Sequence, residues 1–281
     1  ISIDRTTGDT IWYDDDGSTA KMIWDASTDR LGIGTTTPSR ELHVVGRMVL
    51  NDSENNVAIG TDTIGGFTSA TRSVVIGDNA GSSLSSGDYN ILIGAYAGAA
   101  LTTQGTNVVI GTFAGQNTTS TDSVYIGYNA AYYLTANKNT FMGRSAGQSN
   151  VTTHTAENSV GIGYHALKTI QDGSFNVALG SETMASATSA ASNVAIGEAA
   201  MNTTTTANFN VAVGRKALFA HTTGTQNTAI GAYSLTTQTI GEYNTALGYG
   251  TLYTNLVGDF NVAVGHQALY TTATADNTGR N

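Results

Sequence analysis

The sequence predicts an all-β chain built mainly from a parallel β-solenoid, or β-roll, of about 13 rungs with a 17-residue repeat. Three observations predict it. The phrase Asn/Ser-x-x-Ile-Gly, with Leu, Val or Met sometimes replacing Ile, recurs 13 times. The steps between its glycines are 17, 17, 17, 16, 16 and 20 residues, then six of 17. Gly supplies 33 of the 281 residues and charged side chains only 12%, against ordinary shares of about 7% and 25%. A repeat this short cannot enclose a core of its own, so successive copies must stack. Low charge and abundant β-branched residues separate this composition from that of a disordered chain.

Composition also excludes several classes of function. A net charge of -9 leaves no basic footprint for nucleic acid or an anionic membrane. Without Cys there are no disulfides and no thiolate metal sites. No apolar run approaches the ~18 residues of a membrane helix. Neither a nucleic-acid partner nor membrane insertion is expected. The chain begins at Ile1 with no recognisable leader, and its repeats run to Asn281 without a cap. Uncapped rungs leave strand edges open, so a processed form or a fragment of a longer protein is expected.

Residues 1–50 lack the repeat and read as a β-rich connector. Short strands are expected near residues 10–13, 21–24, 31–34 and 42–45, with Thr37-Pro38-Ser39 as a turn. Asp14-Asp15-Asp16-Gly17 resembles part of a calcium loop but lacks the other ligands and the closing Glu; a turn is the better reading. Gly32-x-Gly34 lacks the third glycine and following helix of a nucleotide fingerprint.

Residues 51–281 form the repeat shaft, in sub-blocks of about 51–147 and 159–281 with a longer loop between them. Position zero of each rung is Asn56, Asn90, Asn107, Asn139, Asn176, Asn193, Asn210, Asn227, Asn244 or Asn261, with Ser73, Ser123 and Ser159 in the remaining three. Both residue types bond nearby backbone and set turns. Stacked at ~4.8 Å, Asn amides can also bond from rung to rung. Position four is always glycine: Gly60, Gly77, Gly94, Gly111, Gly127, Gly143, Gly163, Gly180, Gly197, Gly214, Gly231, Gly248 and Gly265. Only glycine takes positive φ cheaply and admits backbone at a crowded corner. Positions one and three are apolar or Thr and share one face of a strand. Position two is apolar as well, and a strand apolar on both faces is buried on both. The expectation is that positions one and three pack inside, while position two faces outward onto a partner chain.

Positions two and eight trade volume. Val75, Leu92, Val109 and Phe141 accompany glycine at position eight, and Tyr125 accompanies Ala131. From Gly161 onward position two is Gly or Ala and position eight is Leu or Met; Ala58 with Ile64 follows the same rule. Close packing resists both voids and overfilling, so these two positions should touch.

No catalytic residue, metal ligand or cofactor site is expected. His43, His154, His165, His221 and His266 fall at unrelated repeat positions. No nucleophile elbow or triad spacing stands out. The acids Glu157, Asp172, Glu182, Glu198, Glu242 and Asp259 are scattered rather than paired as in a polysaccharide depolymerase. Thr203 to Thr206 lies in a variable turn and forms no regular ice-binding row. Tyr96, Tyr128, Tyr164, Tyr233 and Tyr249 follow the glycine and could line a carbohydrate stripe, although such residues more often cover a sheet edge. The loop Gln148 to Asn158 breaks the period, and loops carry function. Receptor contact is therefore expected at Asn150, Thr152, His154 and Glu157.

Asn-Val-Ala-Ile-Gly, as in residues 193–197, resembles the head repeats of trimeric autotransporter adhesins, where the repeat is shorter. Leu31-Gly32-Ile33-Gly34-Thr35-Thr36-Thr37-Pro38-Ser39-Arg40-Glu41-Leu42-His43-Val44 resembles a signature common in bacteriophage tail-fibre proteins. Together these cover residues 31–265. The resemblance implies a left-handed, intertwined or side-by-side homotrimer in a virion tail fibre. Such a fibre attaches to a host-surface glycan or protein receptor and joins other tail-fibre or baseplate proteins, without catalysis. The alternative is a bacterial cell-surface adhesin or extracellular filament subunit on the same repeat.

Overall fold

The computed structural model describes residues 1–4, 7–13, 20–33, 35–44, 55–63, 69–149 and 154–271. The chain divides into two compact units, Ile1–Leu50 and Asn51–Asn281. Strands and turns account for both, and no helix occurs among the described residues.

The first unit is a five-stranded sheet: β1 (Ser2–Ile3), β2 (Thr10–Tyr13), β3 (Ala20–Asp25), β4 (Arg30–Ile33) and β5 (Leu42–Val44), paired in chain order. The first four run antiparallel, with a bulge at Trp12/Tyr13, and β5 joins β4 in parallel. The turn after β3 is set by Asp25, whose carboxylate accepts hydrogen bonds from the Ser27 and Thr28 amides and hydroxyls. The two hydroxyl bonds, Ser27 first, hold its carboxyl below the usual aspartate range. A Cβ on Gly32 would lie 2.8 Å from Cγ2 of the buried Ile23. That glycine serves close packing across the sheet. The Asp14–Gly17 turn and Gly34 lie outside the described residues.

The second unit is a parallel β-solenoid. Thirteen three-residue strands, from β6 (Val57–Ile59) to β18 (Val262–Val264), stack in strict sequence order in one sheet. The 12 turns between them rise about 58 Å at ~4.8 Å per strand. Register holds through the irregular steps: Val124 pairs with Val108 across a 16-residue rung, and Thr140 with Val160 across the 20-residue one. The irregular segments also bond rung to rung, as in Gly81 N to Ala97 O at 2.9 Å and Ser85 N to Thr102 O at 2.9 Å.

Each corner is built by left-handed backbone. Position four takes φ from +125 to +139°. A Cβ on Gly94 would lie 2.6 Å from the carbonyl carbon of Gly111 in the next rung. Conformation and stacking distance therefore both demand glycine there. Positions six, eight and sixteen are also left-handed, as in Lys216 (φ 54), Leu218 (φ 51) and Gln226 (φ 57).

The strand faces are the reverse of the sequence expectation. Position two points into the solenoid: Val75, Leu92, Tyr125, Phe141, Ala195 and Ala229 are all fully buried. Positions one and three point outward, half-buried in most rungs and most exposed at the last strand, where Val264 reaches 64%. Position two is thus satisfied within one chain. The corners cause this. Position eight turns back into the interior, and only position two faces it there.

The volume exchange is real and lies within one chain. A Cβ on Gly81 would meet Leu92 Cδ1 at 2.8 Å, and one on Gly147 would meet Phe141 Cδ2 at 2.5 Å. Phe141 also fills the space a side chain at Gly161 would need, 2.7 Å from its Cδ1. In later rungs Leu167, Met184, Met201, Leu218, Leu235 and Leu252 fill the interior from the opposite wall. Ile64 lies outside the described residues, so its pairing with Ala58 is not described.

Candidate functional site

Three features could carry function: the interior Asn column, the outward strand face and the aromatic corner. The Asn column is structural. Each position-zero side chain from Asn56 to Asn244 accepts a hydrogen bond from the backbone N–H of the next rung's equivalent residue. Asn193 Oδ1 takes one from Asn210 N at 2.9 Å and a second from Asn210 Nδ2 at 3.2 Å. The Asn amide also donates across the turn, as in Asn210 Nδ2 to Gly224 O at 3.0 Å. Serine preserves the backbone link, Ser73 Oγ accepting from Asn90 N at 3.1 Å. The column runs unbroken from Asn56 to Asn261 and is buried throughout. The repeat glycines form a second column at the corner beside it. The Asn column, being buried, does not reach a ligand from solvent.

A further interior column carried no clear signal in the sequence. Position eleven is Leu84, Leu101, Thr118, Leu134 and Ile170, then Ala187, Thr204, His221, Gln238 and Asn255, all buried. Toward the C-terminus this wall becomes polar. His221 Nε2 lies 2.8 Å from Gly224 O, which makes it the protonated nitrogen, and Nδ1 has no partner. Burial lowers the His221 pKa, with a smaller opposing effect from that carbonyl. The signal was the period itself: position eleven follows position eight by one short turn, and its apolar half matches the core.

The outward face is a double aliphatic ladder. Position three is Ile, Leu, Val or Met in every rung and position one is Val, Ile or Thr, with no charged residue in either row. Isolated exposed aliphatics are ordinary, but here they form one continuous uncharged strip along the outer face of the sheet.

The tyrosines expected as a stripe occupy positions five and six. Tyr96 and Phe113 have centroids 5.5 Å apart, Phe113 and Tyr128 5.9 Å, and Arg144 lies over Tyr128 and Tyr164 at 5.7 and 6.0 Å. The row is then interrupted by Ser181 with Glu182 and by Glu198 with Ala199. It resumes with Arg215, over Tyr233 at 5.6 Å, and continues to Tyr249. Arg215 also meets Glu198 at 2.9 Å, an exposed pair of little energetic weight. Two clefts open along this corner. One, of about 330 Å³, is lined by Phe113, Tyr128, Asn129, Tyr132, Tyr133 and Gln148. The other, of about 230 Å³, is lined by Tyr233, Tyr249, Gly250, Tyr253, Gln267 and Tyr270.

Of the four residues expected to contact a receptor, Asn150 and Thr152 lie outside the described residues. His154 is buried, its Nδ1 3.5 Å from Ser149 Oγ, which removes its ring from the surface. Glu157 is half-buried, and its amide donates to Ser174 Oγ at 3.0 Å. Among the described residues no three His, Asp or Glu side chains converge as a metal site. The chain matches no protein-family model, no curated protein and no solved structure.

Proposed function

We propose that this chain is the non-catalytic shaft of a bacteriophage tail fibre, a homotrimer that attaches to the host surface. The observation that carries the proposal is the uncharged aliphatic ladder on the outer strand face. A strip about 58 Å by ~10 Å offers roughly 600 Å² per chain, close to the ~800 Å² per partner of a standard interface. Its repeat-regular flatness suits copies of itself in register. The resemblance of residues 31–44 to a tail-fibre signature supports a virion setting, with a host glycan or protein receptor and other tail-fibre or baseplate proteins as partners.

Light scattering on the purified chain tests the assembly. The expected mass is three times 29.0 kDa. Ile196→Asp, in the middle of the ladder, should lower the mass while preserving the β-rich circular dichroism spectrum. A wild-type monomer at micromolar concentration would refute the shaft.

A further inference from the structure

Position six holds a residue with a side chain in twelve rungs, from Asp62 to Gln267, and glycine in one, Gly250. The backbone does not demand that glycine. Its φ is +58°, while Tyr233 and Gln267 hold φ +60 and +53° at the same position with side chains attached. What the glycine changes is space. A Cβ on Gly250 would sit 3.4 Å from Tyr270 Cε2 and 3.5 Å from Gln267 Cγ. Any longer side chain would fill the cleft, so its absence opens the cleft floor.

The walls are tyrosines held by ring contacts. Tyr253 and Tyr270 lie 4.9 Å apart and 10° from parallel, and Tyr249 stacks on His266 at 5.2 Å and 11°. Tyr233 meets Tyr249 edge-on at 5.8 Å. Pre-stacked rings lose little freedom on binding and present both apolar faces and hydroxyls. Gln267 adds an amide donor and acceptor at the rim. No charged side chain lines the cleft. Its volume of about 230 Å³ is below the ~300–1,000 Å³ of drug-sized pockets, which limits it to one small ring. A ligand with apolar C–H faces, a hydroxyl rim and no charge matches all four properties.

We propose that this cleft is a subsite for one neutral pyranose unit of a surface polysaccharide. The proposal rests on the attachment reading and names the chemistry of its receptor. The sugar ring lies against the tyrosine faces, and its hydroxyls exchange hydrogen bonds with the phenols and Gln267.

The test is titration calorimetry of the intact chain with neutral oligosaccharides of glucose, galactose, mannose and N-acetylglucosamine. Expected is saturable binding of at least one of them in the millimolar range, typical of a single-ring site (about 4 kcal/mol). Gly250→Gln, which installs the residue the next rung carries, should weaken that binding at least tenfold with an unchanged melting temperature. Tyr253→Ala should weaken it as well. Absence of binding by the whole panel at about 10 mM, or binding indifferent to Gly250→Gln, would overturn the proposal. So would a change in molar mass in Gly250→Gln, which would assign the cleft to a chain–chain contact. The attachment reading fails separately: a monomeric wild type that still binds sugar through this cleft would sink the shaft and leave the subsite standing.

Discussion

Exchanging the contents of one rung tests the packing rule directly. Phe141 is fully buried, with its ring against Gly147 on one side and Gly161 on the other. Phe141→Ala should cost about 3–5 kcal/mol through lost transfer energy and a cavity. Gly147→Leu should also destabilise, because its Cβ would lie 2.5 Å from Phe141 Cδ2 and 2.6 Å from Cγ; overpacking of this kind costs about 1–3 kcal/mol. Made together, the two changes reproduce the later rungs, where Ala212 accompanies Leu218. The new leucine adopts a left-handed backbone at about 1 kcal/mol, as Leu167 does at φ 52°. Independent effects would sum to about 5–9 kcal/mol. A shared cavity predicts a favourable coupling of about 1–3 kcal/mol, so the double variant should be more stable than that sum by this amount. The assay is urea unfolding followed by far-UV circular dichroism at fixed chain concentration, since association shifts apparent stability. A double variant no more stable than the sum of its parts would refute the idea that positions two and eight share one packed space.

Three further outcomes follow from the same geometry. Asn210→Ala strands the buried Asn227 backbone N–H, while the Gly224 carbonyl keeps its bond from His221 Nε2, and should cost about 1–3 kcal/mol; Asn210→Ser should cost clearly less in the same melts, because Ser keeps an oxygen for the next N–H. Gly197→Ala should prevent stable stacking around its rung, since φ is +127° and the added carbon would lie 2.7 Å from the Gly214 carbonyl carbon; normal hydrogen-exchange protection of the Val194–Ile196 amides would count against this. His221 gives a pH dependence of definite sign. Burial lowers its folded pKa below the ~6.5 of the unfolded chain, so below pH ~6.5 the unfolded state binds more protons and stability falls until the folded pKa is passed. His221→Gln should flatten that acid limb in a comparison of melting temperatures at pH 7.5 and 5, and an unchanged limb would show that His221 does not cause it.

The period, the thirteen strands, the corner glycines and the Asn column were legible in the sequence because each is a one-dimensional pattern. Asn193, Asn210 and Asn227 recur at the interval that brings them into hydrogen-bond distance. Glycine fills position four in every rung because each meets the same obstacle, the backbone of its successor. The exchange between Phe141 and Gly147 was legible as well, since touching residues must share volume.

The inward face was not legible. Each strand has only three residues, with Val211, Ala212 and Val213 apolar on both sides, so alternation separated the faces without saying which was inside. Corner curvature decides that: position eight returns to the interior and meets position two, leaving the bulkier β-branched residues outward. The polar wall of Thr204, His221 and Gln238 was hidden for a related reason, because turn segments rich in Thr, Gln and His read as solvent-facing until the coil closes over them. The cleft over Gly250 needed the tertiary structure most. One glycine among many has no meaning in the sequence, and its role emerges only when the stacked Tyr253–Tyr270 and Tyr249–His266 pairs are seen beside the space it leaves. By itself the sequence determined the repeat, its length and the residues that bond from rung to rung, because those depend on spacing along the chain. The tertiary structure alone decided which side of each strand faces the core and which faces outward, because that depends on the direction in which the corners bend.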